Sequence, residues 1–248
     1  MRTRIFAALA GAALAVTSPA ARAQDEAGLE TFVAEGSVGA YRAGLNLTIK
    51  DRVQVVAAHY YYARTGEDIP LAVTQAADKL TLDEPGGGRM VLALATSDAS
   101  APRPLNFGTS TGLTGTWAGA GKVLPVRFGF GTVLSGPAPV RWYGDVTRGS
   151  NAAFERRVRG FVSAARARDC RRAAAFVSYP LRIHGRSART IRNGADFARQ
   201  CASILTPGLA ASLKDAIAHE MFVRDGQAMV AGGAVWFDAK GAVALNLP

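Results

Sequence analysis

Leu45-Asn46-Leu47-Thr48-Ile49, followed by Lys50-Asp51 and the run 53–62, sets the reading of the first half of the chain. Apolar side chains at 45, 47 and 49 alternate with polar ones at 46 and 48, a period of two that turns one face of a strand inward. Lys50-Asp51 makes a turn, and residues 53–62 are rich in the β-branched and aromatic types that suit a second strand. Further short strands read at 69–74, 79–83, 90–95, 113–117 and 123–130, separated by polar or glycine-rich turns such as Pro85-Gly86-Gly87-Gly88. Strands at such short, even spacing predict an all-β antiparallel meander that curls into a partial barrel or sandwich.

The second half has another rhythm. Phe154, Val158, Phe161, Val162 and Ala165 recur at helical spacing, with Asn151 as the expected N-cap. A short helix over 169–177, a strand over 179–184, a helix from Asn193 to Ile204 and another from Pro207 through Leu209, Leu213 and Ile217 follow. From Met221 onward the pattern is one of strands, with Asp225-Gly226 a turn and Gly232-Gly233 a turn or bulge. This order predicts α+β layers, helices on one face of a curved antiparallel sheet. Between the halves lie Ser135-Gly136-Pro137-Ala138-Pro139 and Thr147-Arg148-Gly149-Ser150-Asn151. Charge shifts there too: residues 24–150 hold 11 basic and 12 acidic side chains, residues 151–248 hold 15 and 7. The expected domains are 24–147 and 148–248.

Residues 1–23 carry the pattern of an export signal. Arg2 and Arg4 precede an apolar run over 5–16, and Ala21-Arg22-Ala23 is a small-x-small cleavage site, with the cut expected after Ala23. An uncleaved N-terminal anchor is the alternative, although the run falls short of the roughly 20 residues a span needs. A periplasmic or secreted product is expected. In that oxidising compartment Cys170 and Cys201 are expected to form one disulfide, two buried thiols being the alternative. The apolar content, 49%, excludes a disordered chain.

Val177-Ser178-Tyr179-Pro180-Leu181, the stretch 191–197, Leu205-Thr206-Pro207 and Ala234-Val235-Trp236-Phe237 resemble secreted members of the nuclear-transport-factor-2-like superfamily over residues 153–248. The resemblance implies a cone-shaped domain whose bent sheet and helices enclose an apolar pocket, and superfamily members include both enzymes and non-catalytic binding modules. Catalytic members often place an Asp or His base inside the cone, so the resemblance makes His184 and Asp196 the catalytic candidates, with His219, Tyr179 and Glu220 behind them. The fold itself does not fix the function.

Read as residues alone, most of these side chains have plainer roles. Asp196 near a helix start suits the helix dipole, and so does the imidazolium of His219 where His219-Glu220 ends a helix. His59 precedes Tyr60-Tyr61-Tyr62, and alternation sets His59 and Tyr61 on the face opposite Tyr60 and Tyr62, where aromatic cross-strand pairs are expected. The three histidines, at 59, 184 and 219, show no ligand spacing, so no metal and no cofactor is expected. No nucleophile elbow, P-loop or dinucleotide fingerprint occurs. The distinctive feature is arginine. Arg156, Arg157, Arg159, Arg166, Arg168, Arg171 and Arg172 fall on the first two helices of the second half. A solvated helix face and a codon bias toward arginine both account for them; docking to carboxylate or phosphate is the functional reading. The sequence thus predicts a non-enzymatic binding module. Arg156, Arg159, Arg166 and Arg171 would meet an acidic protein or anionic envelope component, and Tyr179 and Trp236 a small apolar ligand. A small hydrolase or isomerase using the cone, and an inhibitor or immunity-like protein, are the rivals. Nucleic acid is not expected, because export removes the chain from it and no aromatics interleave with the arginines.

Overall fold

The structure, a computed structural model, describes residues 28–76 and 79–248. The expected signal segment, 1–23, lies outside the described residues. The first half folds as eight strands: β1 (Leu29–Val38), β2 (Tyr41–Lys50), β3 (Gln54–Tyr62), β4 (Ile69–Ala76), β5 (Lys79–Asp83), β6 (Arg89–Ala95), β7 (Gly112–Gly119) and β8 (Lys122–Ser135). Each pairs antiparallel with the next, and β8 closes on β1 from Glu30–Ser135 to Val38–Val126. The barrel is therefore closed, not partial. The strand that closes it, β1, is the one the alternation did not reveal. Ala34, Gly36 and the outward Glu35 weaken its apolar pattern, and Gly36 has no room for a side chain because a Cβ would lie 1.8 Å from the Arg127 carbonyl oxygen of β8.

Inward residues Phe32, Leu45, Leu47, Ile49, Tyr60, Leu82, Met90, Leu113 and Phe128 fill the barrel. Burial of such side chains stabilises by roughly 1.5–3 kcal/mol each. Tight two-residue turns need positive φ at both positions, met by Asp51-Arg52 between β2 and β3 and by Ala120-Gly121 between β7 and β8.

Residues 136–150 are a tethered crossing. Trp142, Tyr143 and Val146 pack into the C-terminal core, so that core begins before residue 148. The second half then runs α1 (Asn151–Arg166), α2 (Cys170–Ala174), β9 (Val177–His184), β10 (Arg189–Ile191), α3 (Gly194–Ile204), α4 (Pro207–Ser212), β11 (Phe222–Arg224), β12 (Gln227–Val230), β13 (Val235–Phe237) and β14 (Ala242–Asn246). Ser150, not Asn151, caps α1, its hydroxyl accepting from the Ala153 amide at 3.3 Å. Asn151 instead ties the crossing down, donating to the Val140 carbonyl at 3.3 Å. Asn193 and Thr206 cap α3 and α4.

The six strands stand in the order β10-β9-β14-β13-β12-β11. The sheet is mixed where a purely antiparallel one was expected, because β14 pairs with β9 in parallel. A parallel neighbour needs a long crossover, and the chain from β9 to β14 supplies it through two helices and a meander. Phe154, Phe161, Phe197 and Phe237, all fully buried, pack between helices and sheet, Phe161 and Phe237 edge to face at 5.6 Å. Cys170 and Cys201 form a disulfide that joins the start of α2 to α3.

Candidate functional site at the junction of barrel and helical domain

The outward face of β1–β3 is where the barrel meets the second domain. Alternation along β3 turns Tyr60 and Tyr62 into the barrel and His59 and Tyr61 out of it. Tyr61 is nonetheless 1% exposed, because residues 217–221 lie over it. Its ring covers Gly44 of β2, where a Cβ would come within 2.2 Å of Tyr61 Cζ, and it meets the His219 ring edge to face at 4.2 Å. Val33 and Leu134 of the barrel pack against the C-terminal core, so apolar contact runs across the junction.

Against this wall stands an alternating row of charges. Glu220 accepts from His59 Nε2 at 3.0 and 3.1 Å and from the Asn46 amide. His59 Nε2 lies 3.7 Å from Asp68 Oδ1, which accepts from His219 Nε2 at 2.9 Å. The other nitrogen of His219, Nδ1, donates to Glu155 Oε2 at 2.9 Å, and Arg159 stands 3.6 Å from the same oxygen. Tyr143 donates to Glu155 Oε1 at 3.0 Å and accepts from the Met221 amide at 3.1 Å. The row thus reads Glu220, His59, Asp68, His219, Glu155, Arg159, with opposite charges as neighbours throughout.

The local chain explains how each is placed. Glu155 sits on the buried stripe of α1, one turn before Val158, and is 3% exposed. Glu220 is held at φ +45°, a left-handed conformation that costs a non-glycine residue about 1 kcal/mol or more. That bend aims its carboxylate at the barrel.

Burial works against the charged form of the His219 imidazole, but the hydrogen bonds to Asp68 and Glu155 outweigh it and lift its pKa to about 9. For His59 burial again opposes charge, and the Glu220 hydrogen bond and charge carry the pKa above the usual histidine value. The hydrogen bond from His219 holds Asp68 below the usual carboxylate range. Burial pushes the Tyr61 and Tyr143 phenols well up. At neutral pH the His219 imidazole is a cation that donates from both nitrogens. An imidazole in that state has no lone pair with which to act as a base. As a set of ion pairs the row fastens the barrel to the second domain.

Sequence spacing gave no metal motif, yet the fold gathers possible ligands from distant positions. The ligand atoms of His59, Asp68 and Glu220 all lie within 4.8 Å of one another. The helix-end role expected for His219 and Glu220 is corrected: α4 stops at Ser212, and both residues belong to the irregular segment before β11.

Asn46, Asp68 and Glu155 were missed by the sequence reading. Only Glu155 carried a signal, since a carboxylate between Phe154 and Val158 falls on the helix's apolar stripe and needs a partner. His184 and Asp196 are not brought together or to the junction. His184 is exposed at the end of β9, where it lines an outer-face groove of about 300 Å³ with Arg182, Arg224 and Trp236. Asp196 pairs with Arg199 in the first turn of α3 and accepts from the Arg192 amide at 3.3 Å. The Tyr179 hydroxyl is buried without a partner. Arg156, Arg166 and Arg171 are exposed on α1 and α2, and Arg159 and Arg166 line a groove of about 450 Å³ between α1, Ala63 and residues 216–218.

No protein-family model matches the chain, and no curated protein and no solved structure matches it.

Proposed function

We propose that the chain is an exported, periplasmic or secreted binding module that docks to an anionic partner through its arginine-rich helices and performs no chemistry of its own. One observation carries this reading. The stretch 151–174 holds seven arginines and two acids, and both acids are already engaged: Glu155 in the junction row and Asp169 as the cap of α2, accepting from the Arg172 amide at 3.0 Å. Arg157 and Arg168 are turned to backbone carbonyls at Ala239 and Leu205. Arg156, Arg166, Arg171 and Arg172 are exposed on the same two helices and meet solvent as fixed positive charge. Guanidinium forks pair bidentately with phosphate and carboxylate, the groups an envelope surface presents.

The disulfide is compatible with an oxidising compartment, and no helix among the described residues is long and apolar enough to cross a membrane. Helices packed on one face of a six-stranded sheet support placing the second half in the nuclear-transport-factor-2-like superfamily. Co-sedimentation with vesicles tests the docking. The protein should pellet with phosphatidylglycerol vesicles at low salt and stay free with phosphatidylcholine, and high salt should release it. With each basic side chain near such a surface contributing about 1 kcal/mol, joint Arg166→Glu and Arg171→Glu changes should weaken binding at least about tenfold. Equal binding to both vesicle types, or no effect of the charge reversals, overturns the reading.

A further inference from the structure

We infer that His59, Asp68 and Glu220 form a binding site for a divalent transition ion of the zinc class, set across the seam between the two domains. The inference is independent of arginine docking. Zinc bonds of about 2.0–2.2 Å to nitrogen and oxygen set neighbouring tetrahedral ligands about 3.3–3.6 Å apart. His59 Nε2 stands 3.0 Å from Glu220 Oε1 and 3.7 Å from Asp68 Oδ1, bracketing that edge, and all three donor atoms lie within 4.8 Å of one another. An ion at their centre would replace the direct contact between imidazole and carboxylates.

The surroundings are those of a held ligand set. Metal-binding side chains are oriented by hydrogen bonds from a second layer of residues. Here His219 Nε2 donates to Asp68 at 2.9 Å, the Asn46 amide donates to Glu220, and Glu155 fixes His219 from behind at 2.9 Å. Asn46 adds an independent observation. The residue is 1% exposed, and its Oδ1 is buried with no hydrogen-bond partner. A half-turn of the amide, which gives up its hydrogen bond to Glu220, brings that oxygen to the place of the nitrogen, 3.3 Å from His59 Nε2, where it becomes a fourth donor once an ion takes up the Glu220 carboxylate. Asp68 is half exposed, so the site opens to solvent and an ion can enter.

One imidazole with two carboxylates is a mixed nitrogen and oxygen set. It suits zinc, cobalt or nickel, whereas calcium and magnesium take six or more oxygens. The three ligands come from β3, the β3–β4 loop and the segment before β11, so a bound ion would bridge the barrel to the second domain.

The test is titration of the chelator-treated, dialysed protein with zinc by calorimetry, and with cobalt by visible absorption. One equivalent should bind, with the visible bands of a four- or five-coordinate cobalt site, and calcium and magnesium should give no heat. Asp68→Asn keeps an acceptor for His219 and lies in an exposed loop, so it should fold like the parent, by circular dichroism, and bind at least tenfold more weakly. His59→Gln should do the same, and if it fails to fold, Asp68→Asn decides alone. His184→Gln should leave binding unchanged. No stoichiometric binding, binding unaltered by Asp68→Asn, or binding lost with His184→Gln each overturns the site.

Discussion

Glu155 is the residue on which the junction turns. It is a buried carboxylate that satisfies Tyr143 and His219 and faces Arg159, so its removal leaves a buried imidazolium short of a partner. Breaking a buried pair from one side costs about 3–5 kcal/mol. Glu155→Gln should therefore lower the urea midpoint by an amount equivalent to about 3 kcal/mol with the slope unchanged, and a shift under about 1 kcal/mol would remove it from this role. Glu155 was legible in principle, as a charge inside the stripe of Phe154, Val158, Phe161 and Val162. Its long-range partner, His219, 64 positions away, was not. His59 and His219 stand 160 positions apart in the chain, and nothing local to either one signals the other. Asn46 and Asp68 occupy positions where polar residues are ordinary, on the outer face of a strand and in a loop. Chemistry that depends on long-range register leaves no mark in short-range spacing.

Elements divide in the same way. Strands β2 to β8 announce themselves by alternation and by turn residues, because both are local consequences of a pleated backbone. Closure of the barrel depends on β1 meeting β8 about a hundred residues later, a pairing that no periodicity encodes. The helices were legible from their apolar stripes, and the stop of α4 at Ser212 was not, since Leu213 and Ile217 continue the pattern while the backbone turns away.

Two expectations belong at this scale. Gly44→Ala would drive a methyl group into the Tyr61 ring, and overpacking of this kind costs about 1–3 kcal/mol. Its thermal midpoint should fall, and pairing it with Tyr61→Ala should recover part of the loss; additive losses would mean the two residues are not in contact. The disulfide closes a span of 31 residues between α2 and α3 and contributes about 3–4 kcal/mol. Paired Cys170→Ser and Cys201→Ser changes should lower stability by that order, read by urea unfolding of the second domain's tryptophan fluorescence.

For the whole molecule the question is whether barrel and helical domain unfold as one body, and the charges at the seam make the answer depend on pH. In the chelator-treated protein His219 has its pKa lifted from 6.5 to about 9, facing Asp68, Glu155 and Glu220, with the His59 imidazole across Asp68. A raised pKa means that the folded state holds the proton more tightly than the unfolded chain. The stabilisation is then complete below about pH 6.5 and is lost as pH climbs through about 9. Asp68, lowered from 3.8, acts in the opposite sense, contributing above that value and losing its contribution as pH falls through its folded value. Coupling should therefore be strongest from about pH 4 to 6.5 and weaken steadily into alkali. Calorimetry should show one transition at pH 6 and a splitting into two by pH 9.5. His219→Gln, which keeps a polar side chain but cannot carry the charge, should flatten the dependence between pH 6.5 and 9. A midpoint that stays level across that interval in the parent protein would show that the row of charges does not bind the domains together, and that the apolar contacts of Tyr61, Val33 and Leu134 suffice.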